Sequence, residues 1–258
     1  MAWTDRSGIR VSYAIEGAGP PLVLLHGLGT SRELWQVGGY VDALRDHFQL
    51  VLIDARGHGG SDRPTEVTDY GMPKHAADVV GVLDELGIEA ASLLGFSLGG
   101  GTALEVAALH PHRTRAIVTI GAAPSNAEFA DVPANDPTSL LEQAALFETQ
   151  GMSWLAALLE SEARPRWAAL MRKSDGHPQA LQCRSWAAPP SARPLLAGVK
   201  APALMIWGEH DVPSALPELP PSAQVMIIPG ADHAGALEAI DVVLPAVLEF
   251  LANAMGEQ

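Results

Sequence analysis

The segment "EAASLLGFSLGGGTALEVAALH", residues 89–110, places a serine in a G-x-S-x-G pattern between an apolar run and a stretch of helical period. The run predicts a buried strand, and the residues after Ser97 predict a helix. A tight turn from strand to helix strains the central residue and needs small neighbours, which Gly95 and Gly99 supply. The alternative is that Ser97 is only a small residue in a glycine-rich turn. We favour a serine nucleophile at the carboxyl end of a sheet, above a helix N-terminus that stabilises negative charge.

Short apolar runs that end in Gly, Asp or Ser recur along the whole chain. They occupy residues 20–27, 48–60, 89–97, 113–122, 201–211 and 222–233. Stretches of helical period lie between several of them, at residues 31–48, 73–87 and 98–110, and a last one covers 236–255. Residues 9–17 alternate more clearly and predict an edge strand or hairpin arm. The alternation predicts an α/β fold with a mostly parallel central sheet and helices on both faces.

The alternation stops between about residues 124 and 196, where the periodicity is helical and a proline-rich stretch follows. We interpret this interval as a helical insertion. The domain prediction is therefore a core formed by residues 1–123 and 197–258, interrupted by a helical unit at 124–196.

A serine nucleophile needs a base and an acid that orients the base, and on this architecture their chain order is serine, acid, histidine. Of nine histidines, His233 comes last, directly after a late apolar run, and it is the predicted base. Asp211 ends the preceding run and is the predicted acid. Glu209 is a competing acid. Asp232 is a weaker one, because a side chain adjacent to His233 in sequence would be directed elsewhere.

The other histidines have simpler interpretations. His26 and His58 precede the serine in glycine-rich segments, where an imidazole that fastens a loop by bonding to the backbone is the more common role. His210 would be a spectator beside Asp211.

Composition excludes several classes of function. The 258 residues contain 16 Lys and Arg against 30 Asp and Glu, a formal net charge of -14, which repels phosphate backbones and anionic membranes. The single cysteine, Cys183, cannot form an internal disulfide, and no apolar stretch is long enough to span a bilayer. The start of the chain lacks the apolar core of a secretory signal. We expect a soluble cytoplasmic protein with a small-molecule substrate and no nucleic-acid or membrane partner; the sequence leaves the oligomeric state open.

Five segments together resemble the α/β-hydrolase fold family, in its serine hydrolase branch. They are "HGLGTSRELW" (26–35), "DARGHGGSDRP" (54–64), "YGMPKHAADVVGVLDELGIEAASLLGFSLGG" (70–100), "IWGEHD" (206–211) and "PGADH" (229–233). The resemblance implies that Ser97, Asp211 and His233 are the nucleophile, acid and base. It also implies that the backbone N–H groups of Leu28 and Leu98 form an oxyanion hole, and that residues 124–196 are a cap over the site.

The same resemblance gives expectations about the reaction. Branches similar to haloalkane dehalogenases and epoxide hydrolases place an aspartate where this chain has Ser97. The expected function is hydrolysis of a carboxylic ester or lactone of a small, apolar substrate through an acyl-enzyme. Hydrolysis of a carbon–carbon bond in a diketone-like substrate and ligand binding without catalysis remain alternatives. No metal-binding or phosphate-binding pattern occurs, so no cofactor is expected.

Side chains of the predicted cap could form an apolar pocket or could only pack the cap onto the core. The apolar ones are Phe129, Phe147, Met152, Trp154, Trp167, Met171 and Trp186. Four arginines of this interval could meet a substrate carboxylate, although solvated charge is the more common role: Arg164, Arg166, Arg172 and Arg184.

Overall fold

The computed structural model describes residues 2–6, 8–122, 139–187, 196–212 and 219–256. Within these residues eight strands form one sheet in the order β1-β2-β4-β3-β5-β6-β7-β8. The strands are β1 (Ala2–Arg6), β2 (Ile9–Glu16), β3 (Pro21–Leu25), β4 (Gln49–Ile53), β5 (Ala91–Phe96), β6 (Thr114–Ile120), β7 (Ala203–Gly208) and β8 (Ala223–Ile228).

Strands β3 to β8 pair in parallel, and β1 and β2 form an antiparallel hairpin whose second arm pairs with β4. The prediction of a mostly parallel sheet is confirmed. Residues 9–17, predicted as an edge strand or hairpin arm, contain β2, which is one arm of this hairpin. The other arm, β1, was not predicted, because its polar sequence "AWTDR" contains no apolar run.

Helices cover both faces of the sheet. They are α1 (Glu33–Val37), α2 (Tyr40–Leu44), α3 (Met72–Glu85), α4 (Leu98–Leu109), α5 (Leu140–Gln150), α6 (Ser153–Ser161), α7 (Pro165–Met171), α8 (Gly176–Ala187), α9 (His233–Glu238) and α10 (Ile240–Gly256). In β3, Leu22 and Leu24 pack into the apolar cluster that contains α2 and α10, whereas Val23 and Leu25 pack into the cluster that contains α3 and α4. The central strands are continuous apolar runs because both of their faces are covered.

Two predicted helical stretches are each divided in the structure. Residues 31–48 form α1 and α2, separated by Gly38 and Gly39, of which Gly39 has a φ of 81° that favours glycine. The last stretch divides at Ala239 into α9 and α10. None of the described helices is long and apolar enough to cross a membrane.

The described part of the predicted insertion, residues 139–187, is helical and consists of α5 to α8. We call these residues the helical segment. Residues 123–138, which include Phe129 and the predicted boundary at 124, lie outside the described residues, as do 188–195.

Candidate active site

Ser97 occupies the predicted strained turn between β5 and α4. Its φ of 51° and ψ of −116° are rare for a residue with a side chain. The two flanking glycines are required by space: a Cβ on Gly95 would lie 2.3 Å from the Gly99 carbonyl oxygen, and one on Gly99 would lie 2.0 Å from the Leu25 carbonyl oxygen. Both positions therefore require glycine: Gly95 lies against the backbone of the same turn, and Gly99 lies against the backbone of β3.

His233 and Asp211 are in direct contact. Asp211 ends the short turn Glu209–Asp211 that follows β7, and His233 is the first residue of α9. The His233 Nδ1 atom lies 2.8 Å from Asp211 Oδ2. A carboxylate accepts, so Nδ1 carries the proton and Nε2 is the basic atom of the neutral ring.

The two competing acids have other partners. Glu209 accepts a hydrogen bond from the Gly230 N–H at 2.7 Å. Asp232 accepts one from the Gly235 N–H at 2.7 Å as the N-cap of α9, and it also pairs with Arg164. The expectation that the Asp232 side chain is directed elsewhere is confirmed. Of the three acids considered from the sequence, Asp211 is the one whose carboxylate bonds the His233 ring.

Gly121 brings the serine turn and the histidine pair to one edge of the sheet. The Ser97 N–H donates to the Ile120 carbonyl at 2.9 Å, and Gly121 follows directly, with a φ of +59°. A Cβ on Gly121 would lie 3.0 Å from the His233 ring and 3.1 Å from Asp211 Oδ2. The carboxyl ends of β5, β6 and β7 thus place all three predicted residues in the same region.

The loop after β3 borders Ser97 and has a fixed backbone. A Cβ on Gly27 would lie 3.4 Å from the Ser97 Cβ. The Gly27 carbonyl accepts from the Thr30 hydroxyl at 2.7 Å, the Thr30 N–H at 3.3 Å and the His26 Nδ1 at 2.9 Å. Because a trans peptide is planar, its C=O and N–H point in opposite directions. Bonding the Gly27 carbonyl to Thr30 and His26 therefore fixes the Leu28 N–H in the opposite direction.

Leu98, the second predicted oxyanion donor, is the first residue of α4. Its N–H belongs to the first turn and has no acceptor within the helix. Its role as an oxyanion donor stays a prediction.

His26 and His58 fasten loops, as predicted. The His26 Nε2 accepts from the Ala55 N–H at 3.0 Å, so its Nδ1 is the protonated nitrogen that donates to Gly27. The His58 Nε2 accepts from the Gly29 N–H at 3.1 Å, and its Nδ1 donates to the Arg56 carbonyl at 2.9 Å. Burial lowers the pKa of both imidazoles, which keeps them neutral and able to accept.

The helical segment lies on the same loop. The Ser174 hydroxyl donates to the Gly29 carbonyl at 2.7 Å. A Cβ on Gly29 would lie 2.6 Å from Met152 and 2.8 Å from Met171, so both side chains pack against this glycine. These contacts were not predicted, because they join residues more than 120 positions apart for which the sequence gives no pairing signal.

Aromatic side chains continue this packing toward the histidine. Trp167 meets the ring of Phe96 edge to face, with centroids 5.6 Å apart, and Phe96 lies 5.0 Å from the His233 ring. Phe147 and Trp154 contact each other at 5.2 Å. Most of the predicted pocket side chains thus pack the segment onto the core or onto itself.

Three of the four arginines considered from the sequence pair with acids. Arg172 pairs with Glu160, Arg184 with Glu148, and Arg164 with three carboxylates. Among the described residues, no group of three or more His, Cys, Asp or Glu side chains is arranged to hold a metal ion.

Comparison with known proteins agrees with this architecture. The model of the alpha/beta hydrolase fold family matches residues 20–175. The crystal structure of the enol-lactonase from Burkholderia xenovorans LB400 is similar with a TM-score of 0.80 and 27% identity, covering 97% of this chain and 100% of that one. The 2-hydroxy-6-oxononadienedioate/2-hydroxy-6-oxononatrienedioate hydrolase of Comamonas testosteroni is 28% identical over 96% of this chain and 93% of its own length.

Haloalkane dehalogenase 2 of Mycobacterium tuberculosis is 30% identical over 96% of this chain and 93% of its own length. The relatives thus span several hydrolytic reactions on one scaffold. The strand order, the strained serine turn and the family match together establish that this chain is a member of the α/β-hydrolase fold family.

Proposed function

We propose that the protein is a serine hydrolase that cleaves a carboxylic ester or lactone of a small, apolar substrate through an acyl-enzyme. The observation that carries this proposal is the contact of His233 with Asp211 at the sheet edge where Ser97 occupies its strained turn. A histidine oriented by a carboxylate beside a serine is the arrangement that activates a hydroxyl as a nucleophile.

The proposed reaction assigns one group of the chain to each step. His233 Nε2 takes the proton of the Ser97 hydroxyl as Oγ attacks the carbonyl carbon, while Asp211 stabilises the imidazolium. The N–H groups of Leu28 and Leu98 bind the oxyanion. The intermediate expels the alkoxide, which takes the proton from His233, and the acyl group stays on Ser97. Water, deprotonated by His233, then attacks the acyl-enzyme, and the bond from the acyl carbon to Ser97 Oγ breaks. Ser97 takes the proton back from His233 as the carboxylic acid leaves.

A serine nucleophile is also unsuited to the catalytic hydrolysis of haloalkanes. A serine oxygen that displaced a halide would form an alkyl ether, which has no carbonyl for water to attack. A carboxylate nucleophile forms an ester instead, and water can hydrolyse that ester. We therefore expect no catalytic dehalogenation, in spite of the similarity to haloalkane dehalogenase 2.

A second candidate is hydrolysis of a carbon–carbon bond, which the Comamonas testosteroni relative favours. The two reactions share the oriented histidine and the oxyanion donors, so the substrate distinguishes them. A third candidate, ligand binding without catalysis, would leave the oriented histidine without a role.

We also propose that residues 124–196 form a cap over the site and choose the substrate. The support is the contact of the helical segment with Gly29 and Phe96 beside Ser97. The Met152 and Met171 side chains at Gly29 favour an apolar substrate, because Met adapts its shape to apolar groups.

The test compares initial rates on a short p-nitrophenyl ester, an enol-lactone and a vinylogous diketone for the wild type and for Ser97→Ala. The proposal predicts turnover of the ester or the lactone and its loss in Ser97→Ala with unchanged thermal unfolding. Turnover of the diketone alone would favour the second candidate. Equal ester turnover by both proteins would contradict a serine mechanism.

A further inference from the structure

Arg164 of the helical segment contacts both ends of the helix that begins with His233. Its Nη2 lies 2.7 Å from Asp232 Oδ1, at the N-cap of α9, and its Nε lies 3.1 Å from Glu238 Oε2, the last residue of α9. Its Nη1 donates to Glu162 at 2.8 Å. One guanidinium therefore holds α9 at two points, and 68 residues separate it from the first of them.

The other two paired arginines of the helical segment differ in burial and reach. The Arg172 and Arg184 side chains are 48% and 38% exposed and each pairs with one acid of the same segment. The Arg164 side chain is 15% exposed and crosses to another part of the fold. Single half-exposed pairs contribute little to stability, whereas several charges joined in one network contribute more.

A second contact reaches the same histidine from α7. Arg164 is the N-cap residue of α7, and its carbonyl accepts from the Ala168 N–H at 3.1 Å. Trp167, on the first turn of α7, packs edge-on against Phe96, whose ring lies against His233. The start of α7 is therefore connected to His233 in two ways. Arg164 bonds the neighbouring Asp232, and Trp167 packs on Phe96, which contacts the His233 ring.

We propose that Arg164 is a positioning residue that couples the helical segment to the catalytic base by holding α9, and with it His233, through Asp232 and Glu238. Asp232 serves two donors with one oxygen, the Gly235 N–H and the Arg164 Nη2. A shift of Arg164 therefore moves the N-cap of the helix on which His233 is the first residue. Displacements of about 1 Å at a reacting group cost about 100-fold in rate, so a partial loss of this hold has a measurable effect.

The experiment measures inactivation of the full-length protein by a fluorophosphonate, which separates the binding constant KI from the rate constant kinact of serine phosphonylation. The inference rests on the proposed serine chemistry. We expect Arg164→Gln to lower kinact about tenfold with KI unchanged, and Arg164→Lys to restore part of the loss. The matched control Arg172→Gln removes an arginine–glutamate pair of the same segment and should leave both constants unchanged.

A double-mutant cycle tests whether the effect passes through Asp232. Asp232→Asn removes the charge but keeps an N-cap acceptor for the Gly235 N–H. We expect the double variant Arg164→Gln/Asp232→Asn to lose no more than the larger single loss, because both substitutions act on the same Arg164–Asp232 pair. If Arg164→Gln fails to fold, the single variants Asp232→Asn and Arg164→Lys still test the proposal, because each weakens the same pair and should lower kinact.

The outcomes distinguish the two proposals. If the wild type is labelled at Ser97 but kinact is unchanged in the Arg164 and Asp232 variants, or falls equally in Arg172→Gln, the positioning role is overturned and the serine mechanism stands. Additive losses in the cycle would also overturn the role through Asp232. If the folded wild type is not labelled, the serine mechanism fails and the positioning role fails with it.

Discussion

His233 Nδ1 lies 2.8 Å from Asp211 Oδ2, although 22 residues separate the two along the chain. The contact joins the turn after β7 to the first residue of α9, and it sets which ring nitrogen is basic. Because Asp211 accepts the hydrogen bond from Nδ1–H, Nε2 is the nitrogen that carries no proton in the neutral ring. In the mechanism we propose, this nitrogen takes the serine proton, so the contact with Asp211 sets the base.

The first prediction concerns the acid. Asp211→Asn should lower kcat for ester hydrolysis by about 10⁴-fold, because an amide can hold the imidazole in the wrong tautomer and does not stabilise its cation. The matched control is Glu209→Gln in the same turn, which changes an acid whose partner is the Gly230 N–H and should leave kcat unchanged. A similar loss of kcat in both variants would show that the conformation of the turn, and not the Asp211 charge, determines the activity.

The second prediction concerns the proposed oxyanion donor, the Leu28 N–H. Thr30→Val removes the hydroxyl that bonds the Gly27 carbonyl, and so loosens the peptide that aims the Leu28 N–H. We expect kcat to fall about tenfold at unchanged KM, a fraction of what removal of a donor costs. Thr30→Ser keeps the hydroxyl and should keep most of the activity. Full activity in Thr30→Val together with impairment in Thr30→Ser would show that the methyl packing, and not the hydroxyl bond, supports the activity.

The third prediction concerns stability in acid. His75 donates from Nε2 to the Gln182 side chain at 2.7 Å, and burial lowers its pKa from 6.5 to about 3. Between these two values the unfolded chain binds a proton that the folded protein does not. His75 therefore lowers the free energy of unfolding as the pH falls from 6.5 to about 3, by at most about 1.4 kcal/mol per pH unit.

Denaturant unfolding across this pH range tests the statement with His75→Gln, whose amide can also donate to Gln182. The variant should show a shallower loss of stability in acid. Parallel curves for the variant and the wild type would exclude His75 as a source of the acid sensitivity.

The fourth prediction has the opposite sign. Glu105 is a buried side chain of α4, and burial raises its pKa from 4.5 to about 7. The folded protein holds this proton more tightly, so the contribution of Glu105 to stability is lost as the pH rises from 4.5 through about 7. Glu105→Gln should raise the free energy of unfolding by about 1–3 kcal/mol above pH 7 and by little below pH 4.5. Equal stability above pH 7 would show that the carboxylate is solvated.

Much of this fold could be predicted from the sequence because its central strands are continuous apolar runs. β5 is buried along its whole length, and the same sequence pattern identifies β3, β4, β6 and β7. The serine turn was predictable for a different reason, since the space at Gly95 and Gly99 admits no other residue. The buried strands and the serine turn can be predicted because each imposes a requirement on the residues of its own segment.

Features that depend on distant pairing could not be predicted in the same way. β1 is a strand because it pairs with β2 in the register Thr4 to Val11, and its own sequence has no apolar run. The links of Ser174 to Gly29 and of Arg164 to Asp232 need the helical segment to be placed first. The start of α9 did leave a local signal, because Asp232 is a typical N-cap residue directly before His233.

In the mechanism we propose, Ser97 is a nucleophile activated by His233. The most direct measurement is intact-mass and peptide mass spectrometry of the folded protein after reaction with a fluorophosphonate. We expect one adduct, located on the peptide that contains Ser97, with no adduct on Ser97→Ala and greatly slowed labelling of His233→Ala. A folded wild type that gains no adduct, or an adduct on another residue that persists in Ser97→Ala, would contradict it.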